Sequence, residues 1–184
     1  MPDQQPLRPC GRILEVTEEA KFAIALRIQS RLEQVRFIRA AMAGVLKHAG
    51  IVESDILSLE LAVTELVNNC LEHGYQGLPD KHVEVQIGIL DKEVQIDVID
   101  HAPPFPENER YRLRDKSTPV EESDDAWEIR GHGLRIVQQI VDRIELASGE
   151  NRNILTIRKY VSLEANEPGT SPEPPQSRPR TDAA

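Results

Sequence analysis

Long apolar runs, cysteine and basic charge are all scarce in this sequence, and each shortage removes a class of protein. No uninterrupted apolar stretch approaches the roughly 18 residues of a membrane-spanning helix, so no membrane segment is expected. The N-terminal MPDQQPLRPCGR has no apolar signal core, which leads to the expectation of a cytoplasmic protein. The two cysteines, Cys10 and Cys70, make neither a redox nor a metal-binding spacing. Cys70 falls on an apolar helix face, where a thiol behaves as a small hydrophobe. Lys and Arg total 22 against 31 Asp and Glu, a formal net charge of -9. That balance argues against broad contact with a phosphate backbone and so against direct nucleic-acid binding. It leaves open a local pocket for a single nucleotide. No internal repeat is present.

The 184 residues suit one domain with tails, enough chain to bury a sizeable core. Residues 1–20 are polar, carry three prolines and read as a flexible arm. The domain is expected over 21–161. Phe22-Ala-Ile-Ala-Leu-Arg-Ile-Gln alternates well enough for a strand. Ser30 is placed to cap a helix, with Glu33 completing a capping box. That helix runs to about Ala49 with Leu32, Val35, Ile38, Met42 and Leu46 on its apolar face, and Gly50 stops it. His48 near its end reads as a surface residue favoured by the helix dipole. A second helix opens at Glu53 or Ser54 and closes at His73-Gly74-Tyr75. Val83–Leu90 and Val94–Asp100 alternate cleanly around Asp91-Lys-Glu and predict an antiparallel hairpin. Residues 101–130 hold four prolines and dense mixed charge, too long a segment for an idle connector. A short helix, Leu134 to Val141, and a second hairpin around Gly149-Glu-Asn follow. Residues 162–184, with five prolines and few apolar side chains, read as a disordered tail.

Three stretches carry chemistry. In the second helix, Glu65, Asn69 and His73 are spaced i, i+4, i+8 and fall on one stripe beside the apolar face of Leu59, Ala62, Val63, Leu66, Val67 and Cys70. Asn69 offers a neutral oxygen to a hard cation such as Mg²⁺, which takes its other ligands from water and phosphates. Glu65 can orient or deprotonate an attacking group. Asp100 ends an apolar strand, where a carboxylate can sit on a pocket floor and accept from an exocyclic amine. Gly131 and Gly133 open a helix, whose free N–H groups and positive dipole end suit phosphates. Each signal alone also fits an ordinary role: a solvated stripe, a turn aspartate, helix-entry glycines. Their order, joined by one long segment, favours a shared pocket that this segment closes.

The series Glu65-x-x-x-Asn69, Asp100-x-Ala102-x-Pro-Phe105 and Gly131-His132-Gly133-Leu134 resembles the N, G1 and G2 boxes of the GHKL ATP-binding superfamily. Within it, TELVNNCLEHGY, VIDHAPPF and GHGLRIVQQIVDRIEL resemble the bacterial anti-sigma-factor serine kinases, over roughly residues 22–160. The resemblance implies an α/β (α+β) two-layer sandwich of Bergerat type: a mixed, mostly antiparallel sheet with helices on one face and residues 101–130 as the ATP lid. It implies ATP and Mg²⁺ as cofactors. Asn69 would ligate Mg²⁺, Glu65 would be the general base or water-positioning residue, and His73 would belong to the same site. Asp100 would accept from the adenine N6 amine, with Ala102 and Phe105 beside it. Gly131, His132, Gly133 and Leu134 would supply phosphate-facing backbone. Thr156 would lie near the adenine, and Arg130 would pair with a phosphate or with acids of the lid. Ala102 stands where the wider superfamily commonly has glycine.

The activity implied is phosphoryl transfer to a serine or threonine of a small antagonist with the sulfate-transporter/anti-sigma-antagonist (STAS) fold, catalysed by positioning and charge stabilisation. A sigma factor is the implied captive partner and a homodimer the implied assembly, with the helix from Ser30 to Ala49 as a candidate dimer or partner face. Three other readings compete. A non-catalytic module would hold ATP and act by stoichiometric capture, but Glu65 favours transfer. A detached histidine-kinase catalytic domain would come with a phosphoacceptor helix, and no helix here carries that pattern. A ligand-free α/β domain would have no use for the motif order.

Overall fold

The computed structural model describes residues 20–105, 132–149 and 152–164. The N-terminal arm, most of the 101–130 lid segment and the tail from 165 onward lie outside the described residues. Strand β1 (Phe22–Gln29) leads through a 3₁₀ turn (Leu32–Gln34) into helices α1 (Val35–His48) and α2 (Glu53–Asn69). Strands β2 (His82–Ile89) and β3 (Glu93–Asp100) follow, then helix α3 (His132–Ile140) and strands β4 (Arg143–Gly149) and β5 (Arg152–Tyr160). The sheet order is β1-β2-β3-β5-β4.

Every pairing among the described strands is antiparallel, a correction to the mixed sheet expected. The physical reason is topological. The connection through α3 makes β4 run in the same direction as β3, but the tight β4–β5 hairpin inserts β5 between them. The two same-direction strands therefore never bond to each other.

The period-2 alternation sends Val83, Val85, Ile87, Val94, Ile96, Val98, Leu155 and Ile157 to one face, where all are buried. Helix α1 covers that face with Val35, Ile38, Met42 and Leu46, and α2 with Ile56, Leu59, Ala62, Val63, Leu66 and Val67. Leu32, expected on the α1 face, is 56% exposed because it lies in the 3₁₀ turn before the helix axis is set. Nor does Ser30 cap the helix. Its hydroxyl donates to the Leu78 carbonyl and accepts from the Lys81 N–H at 3.1 Å, tying β1 to the loop before β2. Helix α1 does end at Gly50 as expected. With φ +77°, Gly50 lets its N–H reach the Lys47 carbonyl at 3.0 Å and the Ile51 N–H reach the Leu46 carbonyl at 3.1 Å, while Leu46 and Ile51 are both fully buried.

Residues 162–164, assigned to the tail by composition, are docked. Val52 N–H donates to Ser162 O, Glu164 N–H to Gly50 O, and Ser162 N–H to the Asp55 carboxylate at 2.7 Å. Among the described residues no helix is long and apolar enough to cross a membrane.

The face of the sheet away from the helices is mostly polar, Ile99 and Ile154 aside, and it buries one acid. Asp97 is 2% exposed; its Oδ1 accepts from the Thr156 hydroxyl at 2.7 Å. Burial pushes its carboxyl above the ordinary aspartate range, against the pull of bonds from Thr156 and Gln95 and the charge of Arg158. A raised folded-state value means that the folded protein carries a cost at neutral pH, relieved as pH falls through that value. Asp97→Asn should therefore be at least as stable as the native protein at about pH 7. That advantage should vanish near pH 4, where the unfolded carboxyl also protonates. Urea midpoints of the two proteins at both pH values check this; an Asn variant less stable at about pH 7 and equal at the lower pH would contradict it.

Candidate nucleotide site

Helix α2 does not run on to Gly74 as a regular helix. It ends at Asn69 and passes into a π-helical turn, Cys70–Gly74, closed by a bond from the Tyr75 N–H to the Cys70 carbonyl at 2.8 Å. Gln76 and Gly77, with φ of 52° and 75°, then turn the chain away. The widened turn breaks the straight i, i+4, i+8 line expected of Glu65, Asn69 and His73. Glu65 and Asn69 stay half-buried, while His73 is exposed. π-turns inserted in α-helices are frequent at functional sites.

Three elements converge at this end of α2. First, α3 lies so close that a Cβ added at Gly133 would collide with the Glu65 carboxylate, its Cδ only 3.5 Å away. A side chain at 133 would displace the carboxylate from where it stands, and Glu65 has no hydrogen bond or ion pair to another described residue. Second, the end of the π-turn meets the chain leaving β3: a Cβ at Gly74 would stand 2.9 Å from that of Ala102. Ala102 is 3% exposed, and its methyl fills the space left by Gly74. Third, Cys70, next to Asn69, donates its S–H to Asp100 Oδ2 at 3.3 Å. Burial first, and then the Asp100 charge, hold this thiol protonated.

Asp100 is 3% exposed at the end of β3. Its Oδ1 accepts two bonds, from the Ala102 N–H and from Asn153 Nδ2, both at 2.8 Å. Among the described residues its Oδ2 is held only by the weak thiol donor, so it keeps capacity for another bond. Phe105 packs its ring against the core and gives its N–H to Ser148 Oγ at 3.1 Å. Leu134 also packs its side chain on the core.

Thr156 is the misplaced member. It pairs with Asp97, three residues before Asp100, and so stands on the opposite face of the sheet. The odd spacing is the reason, since each step along a strand reverses the side chain. In register with Asp100 stands Asn153, 1% exposed, which sequence reasoning took for a residue of the hairpin. Arg130 and Gly131 lie outside the described residues, as does the side chain of His132.

The residues present fit a hydrated cation beside Asn69. The Asn69 Nδ2 is buried with no hydrogen-bond partner, an arrangement that costs on the order of 1–3 kcal/mol unless something else meets the amide. Turning the amide over brings its oxygen to the same place. Among the described residues no group of three or more His, Cys, Asp and Glu side chains stands ready for a metal. Mg²⁺ does not require such a cage, because it retains waters and takes phosphate oxygens.

A family profile described as "Histidine kinase-like ATPase domain" matches residues 28–159, most of the chain and all three converging elements. The chain belongs to the histidine kinase-like ATPase family. Its relatives include proteins named serine-protein kinases. It is 25% identical over 148 residues to the serine-protein kinase RsbW of Bacillus velezensis, covering 80% of this chain and 91% of the relative. With the RsbW of Bacillus thuringiensis it shares 28% over 152 residues, 81% and 91% of the two chains. A solved structure of the RsbU and RsbW domains of Rv1364c from Mycobacterium tuberculosis superposes with a TM-score of 0.55 at 20% identity. It covers 78% of this chain and 33% of that longer one, and it supports the fold alone. The ATPase fold and the expected resemblance to anti-sigma-factor kinases are thereby both met.

Proposed function

We propose that this chain is an ATP-dependent serine/threonine-protein kinase and anti-sigma factor of a partner-switching system, one that phosphorylates a small STAS-type antagonist on serine or threonine. The observation that carries the reading is the contact of Glu65 with the start of α3. A carboxylate without a described partner faces a helix N-terminus, the place where a phosphate is best held. The Bacillus relatives are named serine-protein kinases, and the match spans nearly their whole length.

Each residue then has a task. Asp100 Oδ2 accepts from the exocyclic amine of the base. The backbone of α3's first turn, with Gly133, meets the phosphates. Asn69 would hold Mg²⁺, which when bound supplies charge neutralisation on the phosphate oxygens. Glu65 takes the proton of the attacking hydroxyl or orients it. The outer side of α1 and α2, with Phe37, Leu57 and Leu61 exposed, is the candidate face for a partner or for a second copy in a cytoplasmic homodimer. The reading in which ATP is held without transfer would have no need of Glu65 at this position.

The test is a calorimetric titration with ATP, with and without Mg²⁺, on the native protein and on Asn69→Ala. The native protein should bind more tightly with magnesium, and Asn69→Ala should lose that increment. An Asn69→Ala protein with full magnesium-dependent affinity would remove Asn69 from the site. A folded native protein that binds no ATP would overturn the kinase reading.

A further inference from the structure

Asp100, Asn153 and Ser148 form one register row across β3, β5 and β4. The row faces the helices at the end of the sheet where the chain leaves β3. Its polar side chains are hydrogen-bonded in series. Asn153 Nδ2 has two hydrogens and three acceptors: Asp100 Oδ1 at 2.8 Å and the carbonyls of Ala102 and Pro103, each at 3.2 Å. Asn153 Oδ1 accepts the Ser148 hydroxyl at 2.6 Å. Ser148 Oγ in turn accepts the Phe105 N–H at 3.1 Å. Charge fixes the direction of the amide, because turning it over would aim its oxygen at the Asp100 carboxylate.

The chain it grips also packs on the core through Ala102 and Phe105. Pro103 and Pro104 have no N–H. The three N–H groups of residues 101–105 all end on side chains: His101 on the Tyr75 hydroxyl at 2.8 Å, Ala102 on Asp100 at 2.8 Å, and Phe105 on Ser148. The carboxylate that would read the base and the backbone that would border it are thus fastened by the same two residues of the β4–β5 hairpin.

We propose that Ser148 and Asn153 are positioning residues for nucleotide-base recognition. They lock Asp100 Oδ1 into the fold and so leave Oδ2 as the oxygen presented to an amino-purine. Ser148 does this without touching the base. Its hydroxyl orients the Asn153 amide, and that amide orients Asp100. The proposal rests on the reading of Asp100 as the acceptor for the base. It differs from a merely structural role in one respect: loosening the relay lets the carboxylate turn, so selectivity between a 6-amino and a 6-oxo purine falls along with affinity.

The experiment compares the native protein, Ser148→Ala and Ser148→Thr. ATP and inosine triphosphate are titrated with magnesium, and amide hydrogen exchange at Phe105 is followed without nucleotide. Ser148→Ala should bind ATP about fivefold more weakly, the scale of one lost neutral hydrogen bond. It should also show a smaller ratio of ATP to inosine triphosphate affinity and faster exchange at Phe105. Ser148→Thr, which keeps the hydroxyl, should restore all three. An unchanged ratio in Ser148→Ala, with or without a uniform loss of both nucleotides, would overturn the proposal and leave the nucleotide site standing. A native protein that binds neither nucleotide would overturn the site reading and this proposal with it.

Discussion

Glu65→Gln should slow phosphoryl transfer by roughly 10²- to 10⁴-fold, the range a positioned general base contributes, while ATP binds as before. The substitution keeps the size of the side chain, so the close approach of Gly133 survives. What it removes is the ability to take a proton. The carboxylate is suited to that task by its surroundings: it is half-buried, no other described residue pairs with it, and it stands against the first turn of α3. A single-turnover assay of labelled phosphate moving from ATP to the proposed antagonist substrate measures the step directly. A full transfer rate in the variant would leave Glu65 as a spacer and shift the chemistry to positioning alone. Loss of ATP binding itself would mean that Glu65 organises the pocket rather than the proton. The contrast with Asn69→Ala is diagnostic, because that variant should fail at magnesium-dependent binding before any transfer begins.

Much of this arrangement was legible in the sequence, and the parts that were not share a cause. The limits of β1, the buried faces of α1 and α2, the Gly50 stop and both hairpins follow from local periodicity and turn chemistry, which need no knowledge of neighbours. The approach of Gly133 to Glu65 agrees with the motif order. Three of the points that escaped show that cause. The π-turn at Cys70–Gly74 replaces one helical bond with a longer one, and nothing in the hydrophobic pattern marks that change; its effect is to leave His73 exposed beyond Asn69. Ser30 has every local sign of a cap, but a tertiary contact to the loop at Leu78–Lys81 claims its hydroxyl. Thr156 was placed by likeness and Asn153 overlooked, although parity decides between them once register is known. Asp100 faces Asn153, so Thr156, three residues on, must face the other way. Register is a relation between strands distant in sequence, and periodicity within one strand does not contain it.

The same register gives Asp100→Asn a specific consequence. Asp100 Oδ1 already receives two donors, the Ala102 N–H and Asn153 Nδ2. In the variant the single amide oxygen must remain there, because an NH₂ group in that place would face both donors. The new NH₂ group therefore occupies the position of Oδ2, beside the Cys70 thiol, and offers a donor where the native protein offers an acceptor. The buried row stays satisfied, and the fold should survive. The exocyclic amine of adenine, itself a donor, then meets a donor. Losing a hydrogen bond to a charged acceptor costs about 1.5–3 kcal/mol, so ATP affinity should fall roughly 10- to 100-fold. Inosine triphosphate, with an oxygen in place of the amine, should lose far less or gain. Competition between the two nucleotides on the folded variant measures the shift. If ATP and inosine triphosphate weakened equally, the carboxylate would be holding the site's shape without reading the base. If only ATP weakened, the oxygen that the β4–β5 hairpin leaves unclaimed is the one that recognises adenine.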